Sequence, residues 1–187
     1  MIWADLVLIA VAIVTFIALL TMLGSLWVWV PYVPTPKQVV KRMVELAKLQ
    51  GSEVVYDLGC GDARLLIEAK KNYPGIQAVG YELPLGIYLF AKLKVALSKL
   101  RIEIHLQDFR KVNMGNADVI FLYLVPEVFA KLENKLNQEL RAGTRIISHG
   151  FEFPKKVPVH VERVPLPSWH PFRTKGKEGP RVFVYEW

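Results

Sequence analysis

Short apolar runs alternate with helix-like segments between residues 53 and 148, and this alternation limits the possible folds most strongly. Five runs are predicted as strands, namely residues 53–58, 77–82, 102–106, 118–124 and 144–148. Apolar residues at helical spacing predict helices over residues 63–73, 84–99 and 126–140. Strands that alternate with helices favour an α/β fold, in which right-handed crossovers join parallel strands.

The two ends of this region follow other patterns. Apolar residues from Val39 to Ala47 recur at helical spacing, and Gly51 then ends the predicted helix. Residues 157–164 and 181–187 are both predicted as strands, with no helix between them. We therefore expect a C-terminal antiparallel hairpin on a mostly parallel sheet. The expected domain covers residues 52–187, after a Pro-rich linker and helix over residues 34–51.

The first 36 residues are strongly apolar. Of these, 27 are apolar and only Asp5 is charged. Leu6 to Val30 provides 25 residues, whereas a bilayer core of about 30 Å needs roughly 20 in a helix. Trp3 and Trp27 lie near the two ends, where aromatic rings favour the membrane interface. A cleaved signal peptide fits less well, because no Lys or Arg precedes the run. The pattern predicts a single-pass transmembrane anchor over residues 1–33.

Charge predicts how such an anchor is oriented. All 24 Lys and Arg residues follow residue 36, and Lys37, Lys41, Arg42 and Lys48 come first. The positive-inside rule then places the N-terminus outside and the C-terminal domain in the cytoplasm. Cys60 is the only cysteine, which excludes a disulfide scaffold and agrees with a reducing compartment. The net charge of +7 suits either RNA or an anionic leaflet. Given the anchor, we expect a lipid bilayer as partner and do not expect nucleic acid.

A glycine-rich turn follows the first predicted strand: Asp57-Leu-Gly59-Cys60-Gly61-Asp-Ala63-Arg64. Glycines there let the backbone approach a ligand, and the next helix offers free N–H groups. Dinucleotide sites need G-x-G-x-x-G, and the bulky Arg64 in the sixth position counts against that type. The turn instead resembles motif I of class I S-adenosylmethionine (SAM) methyltransferases, D-x-G-x-G-x-G, with Ala63 as the third glycine. The resemblance implies that Asp57, Gly59, Cys60 and Gly61 bind SAM.

Two further strand ends carry acidic residues. Glu82 ends the second strand, where a carboxylate can accept hydrogen bonds from both ribose hydroxyls, and Leu83 follows it. The third strand ends near Asp108 and Phe109. The resemblance implies that Asp108 binds the adenine amino group and that the backbone of Phe109 meets the ring. The alternatives are an Asx turn or helix partner for Asp57, a solvated strand end for Glu82 and a turn residue for Asp108.

The order of motifs supports a closer resemblance. In sequence come Val33-Pro-Thr-Pro36, the glycine-rich turn, Val79-Gly-Tyr-Glu82, Asp118-Val-Ile-Phe-Leu-Tyr-Leu-Val-Pro126, Leu132-Glu-Asn-Lys-Leu136 and Ala142-Gly-Thr-Arg-Ile-Ile-Ser148. Together they resemble the membrane-anchored protein-lysine methyltransferases whose eukaryotic members modify the c-ring protein of mitochondrial ATP synthase and the adenine nucleotide translocase. The resemblance covers roughly residues 25–155 and implies a prokaryotic-type member. It departs at His149-Gly-Phe-Glu-Phe-Pro154.

The resemblance also indicates where the methyl acceptor binds, beside the end of the fourth strand. Tyr123 lies there and is a candidate to line an acceptor slot, because aromatic rings hold methylated ammonium groups. Thr35 and Tyr32 are further candidates, which could close the slot from the linker side. Lesser candidates are His149, Trp169 and His170. The alternatives are a core aromatic residue for Tyr123 and interface anchoring for the linker.

The expected function is therefore SAM-dependent N-methylation of a lysine in a membrane or membrane-proximal protein. One alternative is a methyltransferase for a lipid or small amphiphile. Another is a non-catalytic, membrane-anchored nucleotide-binding or interaction module. Tyr123-Leu-Val-Pro126 does not match the N/D-P-P-Y/F motif of adenine N6 methylation. No H-E-x-x-H, C-x-x-C or EF-hand spacing is present, so no metal is expected.

Overall fold

The structure is a computed structural model that describes residues 2–28, 33–167 and 179–187. Its helices are α1 (Ile2–Val28), α2 (Lys37–Leu46), α3 (Arg64–Asn72), α4 (Leu85–Ser98) and α5 (Pro126–Glu139). Its strands are β1 (Val54–Leu58), β2 (Gln77–Glu82), β3 (Ile102–Leu106), β4 (Val119–Leu122), β5 (Arg145–His149), β6 (His160–Arg163) and β7 (Arg181–Glu186). A short 3₁₀ helix, which the sequence did not predict, covers Phe109–Lys111.

The strands form one sheet in the order β3-β2-β1-β4-β5-β7-β6. The first five strands in this order are parallel, and β7 is antiparallel to both of its neighbours. The prediction of a mostly parallel α/β sheet with antiparallel C-terminal strands is confirmed. Because the strand order reverses at β1, a crevice forms outside the carboxyl ends of β1 and β4, where such folds bind ligands.

The C-terminal hairpin inserts its second strand into the sheet. Strand β7 lies between β5 and β6, and its residues 182–185 are all buried. Strand β6 is largely exposed and forms the edge. The reason lies in composition, because Val-Phe-Val-Tyr is apolar on both faces whereas His-Val-Glu-Arg is polar and tolerates an edge.

Two apolar layers hold the helices on the sheet. Helices α2, α3 and α4 cover one face, where Met43 and Leu66 are fully buried against Phe121 of β4. Helix α5 covers the other face through Phe129 and Leu136. Each fully buried side chain of this size contributes about 1.5–3 kcal/mol. The opposed layers fix the positions of the strand ends.

Helix α1 is 27 residues long and lies against α4. Its described side chains are exposed over residues 3–16. Over the parts of the chain that the structure describes, no helix is long and apolar enough to cross a membrane. The predicted transmembrane helix within residues 1–33 is therefore not confirmed.

Candidate functional site

A cavity of about 550 Å³ lies outside the carboxyl ends of β1, β2 and β4. This volume is typical of sites for small organic ligands. The ten residues that the sequence predicts for the cofactor and acceptor sites all line it: Thr35, Asp57, Gly59, Cys60, Gly61, Glu82, Leu83, Asp108, Phe109 and Tyr123. Parallel strands share one carboxyl edge, so residues far apart in sequence meet there.

The glycine-rich turn folds over the end of β2. The N–H groups of Gly59 and Cys60 donate to the carbonyl of Tyr81, at 2.9 and 3.1 Å. Gly59, Gly61 and Ala63 have φ values of 75°, 56° and 61°, all in the left-handed region. A residue with a Cβ pays roughly 1–2 kcal/mol for that conformation, which explains why motifs of this type place glycine where this chain has Ala63.

Asp57 lies near the end of β1 with its side chain directed to the cavity. It is 2% exposed, and its Oδ2 atom has no hydrogen-bond partner among the residues described. Burial raises the pKa of Asp57 well above its ordinary value, and the nearby charges of Glu82 and Asp62 raise it further. An unsatisfied buried acceptor costs free energy until a donor reaches it. A ligand with hydrogen-bond donors would supply one.

Two backbone hydrogen bonds fix the Glu82 carboxylate. Its Oε2 atom accepts from the N–H of Gly61 at 2.7 Å, and its Oε1 atom accepts from the N–H of Leu83 at 3.0 Å. Burial raises the pKa of Glu82, although both backbone hydrogen bonds oppose that rise. Each oxygen of a carboxylate has two lone pairs, so both can still accept from a ligand. The turn therefore orients Glu82 at the cavity wall.

Asp62 and Arg64 also line the cavity, and the sequence analysis gave them no role. Asp62 accepts from the Arg64 guanidinium at 2.7 and 2.8 Å and from Lys94 Nζ at 2.6 Å. Burial alone would raise the pKa of Asp62, but the bonds from Arg64 and Lys94 outweigh it and bring it to about 2. Arg64 Nη1 also donates to the carbonyl of Thr35 at 2.7 Å. Arg64 thus ties the linker to the turn.

Asp108 lies just past the end of β3, the strand next to β2. It caps the 3₁₀ helix, because its Oδ1 atom accepts from the N–H of Arg110 at 2.9 Å. Its hydrogen bonds with Arg110 hold the pKa of Asp108 below the ordinary value, so it is an anion at neutral pH. The turn role that the sequence left open is thus present. Asp108 and Phe109 still line the cavity.

Aromatic and linker residues close the remaining side. Tyr123 directly follows β4, and burial raises its pKa, so the phenol is neutral. Its ring centroid lies 4.0 Å from that of His149, which is buried and whose pKa burial lowers to about 4. Phe151, which the sequence did not single out, and Thr35 also line the cavity. Tyr32, Trp169 and His170 lie outside the described residues.

The cavity has a distinct chemical character. The carboxyl groups of Asp57 and Glu82 face it, and no ion pair to either is present within the described parts of the chain. Apolar and aromatic side chains form much of the rest, including Leu65, Ile87 and Phe109. Such a site suits a ligand that carries positive charge, hydroxyl or ammonium donors and a flat ring. SAM has all of these features, so the residues present fit the expected cofactor.

Comparison with known proteins gives consistent results. Residues 57–160 match the family described as the ANTKMT methyltransferase domain. A protein-lysine N-methyltransferase of Saccharolobus islandicus is 40% identical over 139 residues, which cover 68% of this chain and 83% of that protein. An adenine nucleotide translocase lysine N-methyltransferase of Mus musculus is 31% identical to this chain. The match covers 84% of this chain but only 63% of the mouse protein.

One solved structure is similar in both fold and sequence. It is the crystal structure of an RNA methyltransferase from Salinibacter ruber in complex with S-adenosyl-L-homocysteine. The TM-score is 0.72, and the sequences are 31% identical. The match covers 82% of this chain and 93% of that one. The likeness therefore extends well beyond the glycine-rich turn.

Proposed function

The chain belongs to the ANTKMT methyltransferase family, and we propose that it methylates a lysine of a membrane or membrane-proximal protein. The family match covers more than half of the chain, and the archaeal relative is a protein-lysine N-methyltransferase. The chain is thus a SAM-dependent methyltransferase with the class I fold. The proposal concerns the acceptor and the residues that bind it.

The pair formed by Asp57 and Glu82 at the glycine-rich turn is the observation that supports SAM binding, on which the proposal rests. Glu82 would accept hydrogen bonds from the ribose hydroxyls. The Oδ2 atom of Asp57, which has no partner among the described residues, would accept one from a donor on the methionine side of SAM. Asp108 and Phe109 would hold the adenine. SAM supplies a methyl group on a sulfonium, which reacts with a nucleophile without further activation.

The cavity lining includes Tyr123, Phe151 and Thr35, and this part of it would suit a lysine side chain. A slot of low polarity favours the neutral amine, because burial lowers the pKa of lysine. The amine would lose its proton to water on entry, and bound SAM would supply the methyl group that the lone pair of the amine accepts. Neutral aromatic rings stabilise the cationic product by cation–π attraction. Alignment and exclusion of water are what the protein contributes here.

Membrane association is the part of the proposal that rests on sequence. Residues 6–36 carry no charge, and the first basic residues, Lys37 and Lys41, follow immediately. We propose an anchor over residues 1–33, a linker over 34–51 and a catalytic domain over 52–187 that faces the cytoplasm. The mouse relative is, by its name, a lysine methyltransferase of the adenine nucleotide translocase, which makes a membrane protein a reasonable acceptor class.

The experiment is to incubate the full chain with membranes and methyl-labelled SAM, and then to separate protein, lipid and RNA. We expect label in protein, with none above background for Asp57→Ala. Label in the lipid extract would reject the lysine proposal in favour of an amphiphile. RNA is the second acceptor to test, because the Salinibacter relative is an RNA methyltransferase. Label in RNA would likewise reject a protein acceptor.

A further inference from the structure

Helix α4 is apolar on two opposite sides. Ten of its 14 residues are apolar, and none is acidic. One side packs on the sheet through the buried residues Ala91 and Val95. A helix of a soluble domain normally presents polar residues on its other side. In α4 that side is apolar too.

The outer side forms a continuous line of large side chains, which we call the α4 stripe. It consists of Leu85, Leu89, Phe90, Leu93 and Leu97, and all five are exposed. Four of them recur every four residues, so they lie along one face of the helix. Exposure rises along the helix to 56% at Leu93 and 73% at Leu97. Contiguous exposed apolar surface of this kind marks an interaction site.

Cations border the stripe on one side and at the end of the helix. Lys92 directly precedes Leu93, so it lies about 100° around the helix from it, whereas Lys94 on the other side is paired with Asp62. Lys99 and Arg101 follow at the end of the helix. Glu103, the first acidic residue after the helix, lies on edge strand β3 beside His105. Long basic side chains can lie along apolar surface and keep their charged ends in a polar layer.

The partner must therefore be apolar at its centre and anionic at its rim. A second copy of the chain fits poorly, because a twofold interface would bring the two sets of lysines together. An anionic bilayer has both properties, since its acyl region can receive the leucines and its headgroups can pair with the lysines.

We propose that the α4 stripe docks in the boundary between headgroups and acyl chains of an anionic membrane, with α4 parallel to the surface. Leu83, which lines the cavity, lies two residues before the start of α4 and is itself exposed. Docking therefore brings the cavity mouth to the headgroup layer. This surface selects acceptor lysines that lie close to the membrane. The docking does not depend on which acceptor is methylated.

A fluorescent label on the stripe tests this directly. In the full chain with Cys60→Ala, an environment-sensitive dye is attached at Leu93→Cys or, as a matched control, at Gln138→Cys. Gln138 is exposed on α5, which covers the opposite face of the sheet. Vesicles contain phosphatidylglycerol and brominated lipid. We expect the dye at position 93 to be quenched several-fold more strongly than the dye at position 138, and to lose that quenching in vesicles without anionic lipid.

Equal quenching at the two positions would overturn the proposal. Spectral changes at position 93 that depend on protein concentration, without quenching by lipid, would identify a second copy as the partner and overturn it as well. Hydrogen exchange of the unmodified chain gives an independent measurement. Vesicles should slow exchange in residues 85–98 and leave residues 126–139 unchanged, and no slowing would contradict docking. Neither readout requires methyl transfer, so failure here leaves the proposed acceptor untouched.

Discussion

Three carboxyl groups lie at the glycine-rich turn, and their pKa values shift in different directions. Asp62 is paired with Arg64 and Lys94, and its pKa is about 2. Asp57 and Glu82 have raised pKa values, mainly because they are buried. The chain therefore places uncompensated acidic groups where they face the cavity. Their position was predictable from the strand ends, whereas the pairing of Asp62 depends on how α4 packs beside the turn.

Asp57→Asn should stabilise the SAM-free protein at neutral pH. A carboxyl group whose folded pKa is raised takes up protons on folding, so its contribution to stability is lost as pH rises from about 4 through the folded pKa. Asn cannot ionise, so the variant does not lose this stability as the pH rises. We expect the free energy of unfolding at pH 7 to rise by about 1–3 kcal/mol in urea titrations of the full chain in detergent. Glu103→Gln, an exposed control, should change it little. A less stable Asp57→Asn protein would contradict this account.

Glu82→Gln should weaken SAM binding without unfolding the protein. The amide keeps the size of the side chain but loses the negative charge, and hydrogen bonds to a charged acceptor are worth about 1.5–3 kcal/mol. We therefore expect Kd to rise roughly 10- to 100-fold in calorimetric titration. Glu103→Gln on the neighbouring strand should leave Kd unchanged. Equal affinities of Glu82→Gln and the unmodified chain would exclude Glu82 from the site.

At the scale of elements, the hydrophobic periodicity was sufficient to predict the parallel strands of the sheet. Strands β2 and β3 have the predicted ends, and β1 and β4 differ by one or two residues. The position of β7 between β5 and β6 was not predicted, because a hairpin specifies which strands are adjacent in the chain but not which of them joins the sheet. The role of Phe151 was also missed, since it depends on how the segment after β5 turns towards Tyr123.

The contact between the linker and the turn is a second feature that only the structure shows. Arg64 joins Asp62 to the carbonyl of Thr35, so residues 33–35 cover one side of the cavity. Arg64→Gln should remove the hydrogen bond that holds residues 33–35 against the turn. We expect the free energy of unfolding to fall by about 1–3 kcal/mol, and KM for the acceptor to rise several-fold with a smaller change in kcat. Lys131→Gln, at an exposed position on α5, is the control. An unchanged KM would show that the linker does not shape the acceptor wall.

The ion pair between Arg64 and Asp62 also predicts that the folded protein loses stability in acid. Because the folded pKa of Asp62 is lowered to about 2, its stabilising contribution is present above about pH 4 and is lost as pH falls towards 2. Unfolding of the full chain followed between pH 5 and pH 2 should show this loss. Arg64→Gln should reduce it, because the pKa of Asp62 then moves back towards its unfolded value. An identical pH dependence for both proteins would contradict the assignment.

At the scale of the whole molecule, ligand binding and stability are linked through the cavity. A ligand that binds only the folded state at 100 times its Kd stabilises that state by about 2.7 kcal/mol. SAM should therefore raise the unfolding free energy of the full chain by about that amount, and the same SAM concentration should stabilise Glu82→Gln much less. A rise of similar size in both proteins would indicate binding away from the turn.

Transfer to lysine is the central claim, and one measurement tests it most directly. The full chain and isolated membranes are incubated with SAM that carries a trideuterated methyl group, and membrane proteins are then digested and sequenced by tandem mass spectrometry. We expect the heavy methyl group on the Nε atom of lysine in proteins of the membrane fraction, and its loss with Asp57→Ala. Heavy methyl on other side chains, or lysine label that persists with Asp57→Ala, would contradict the account.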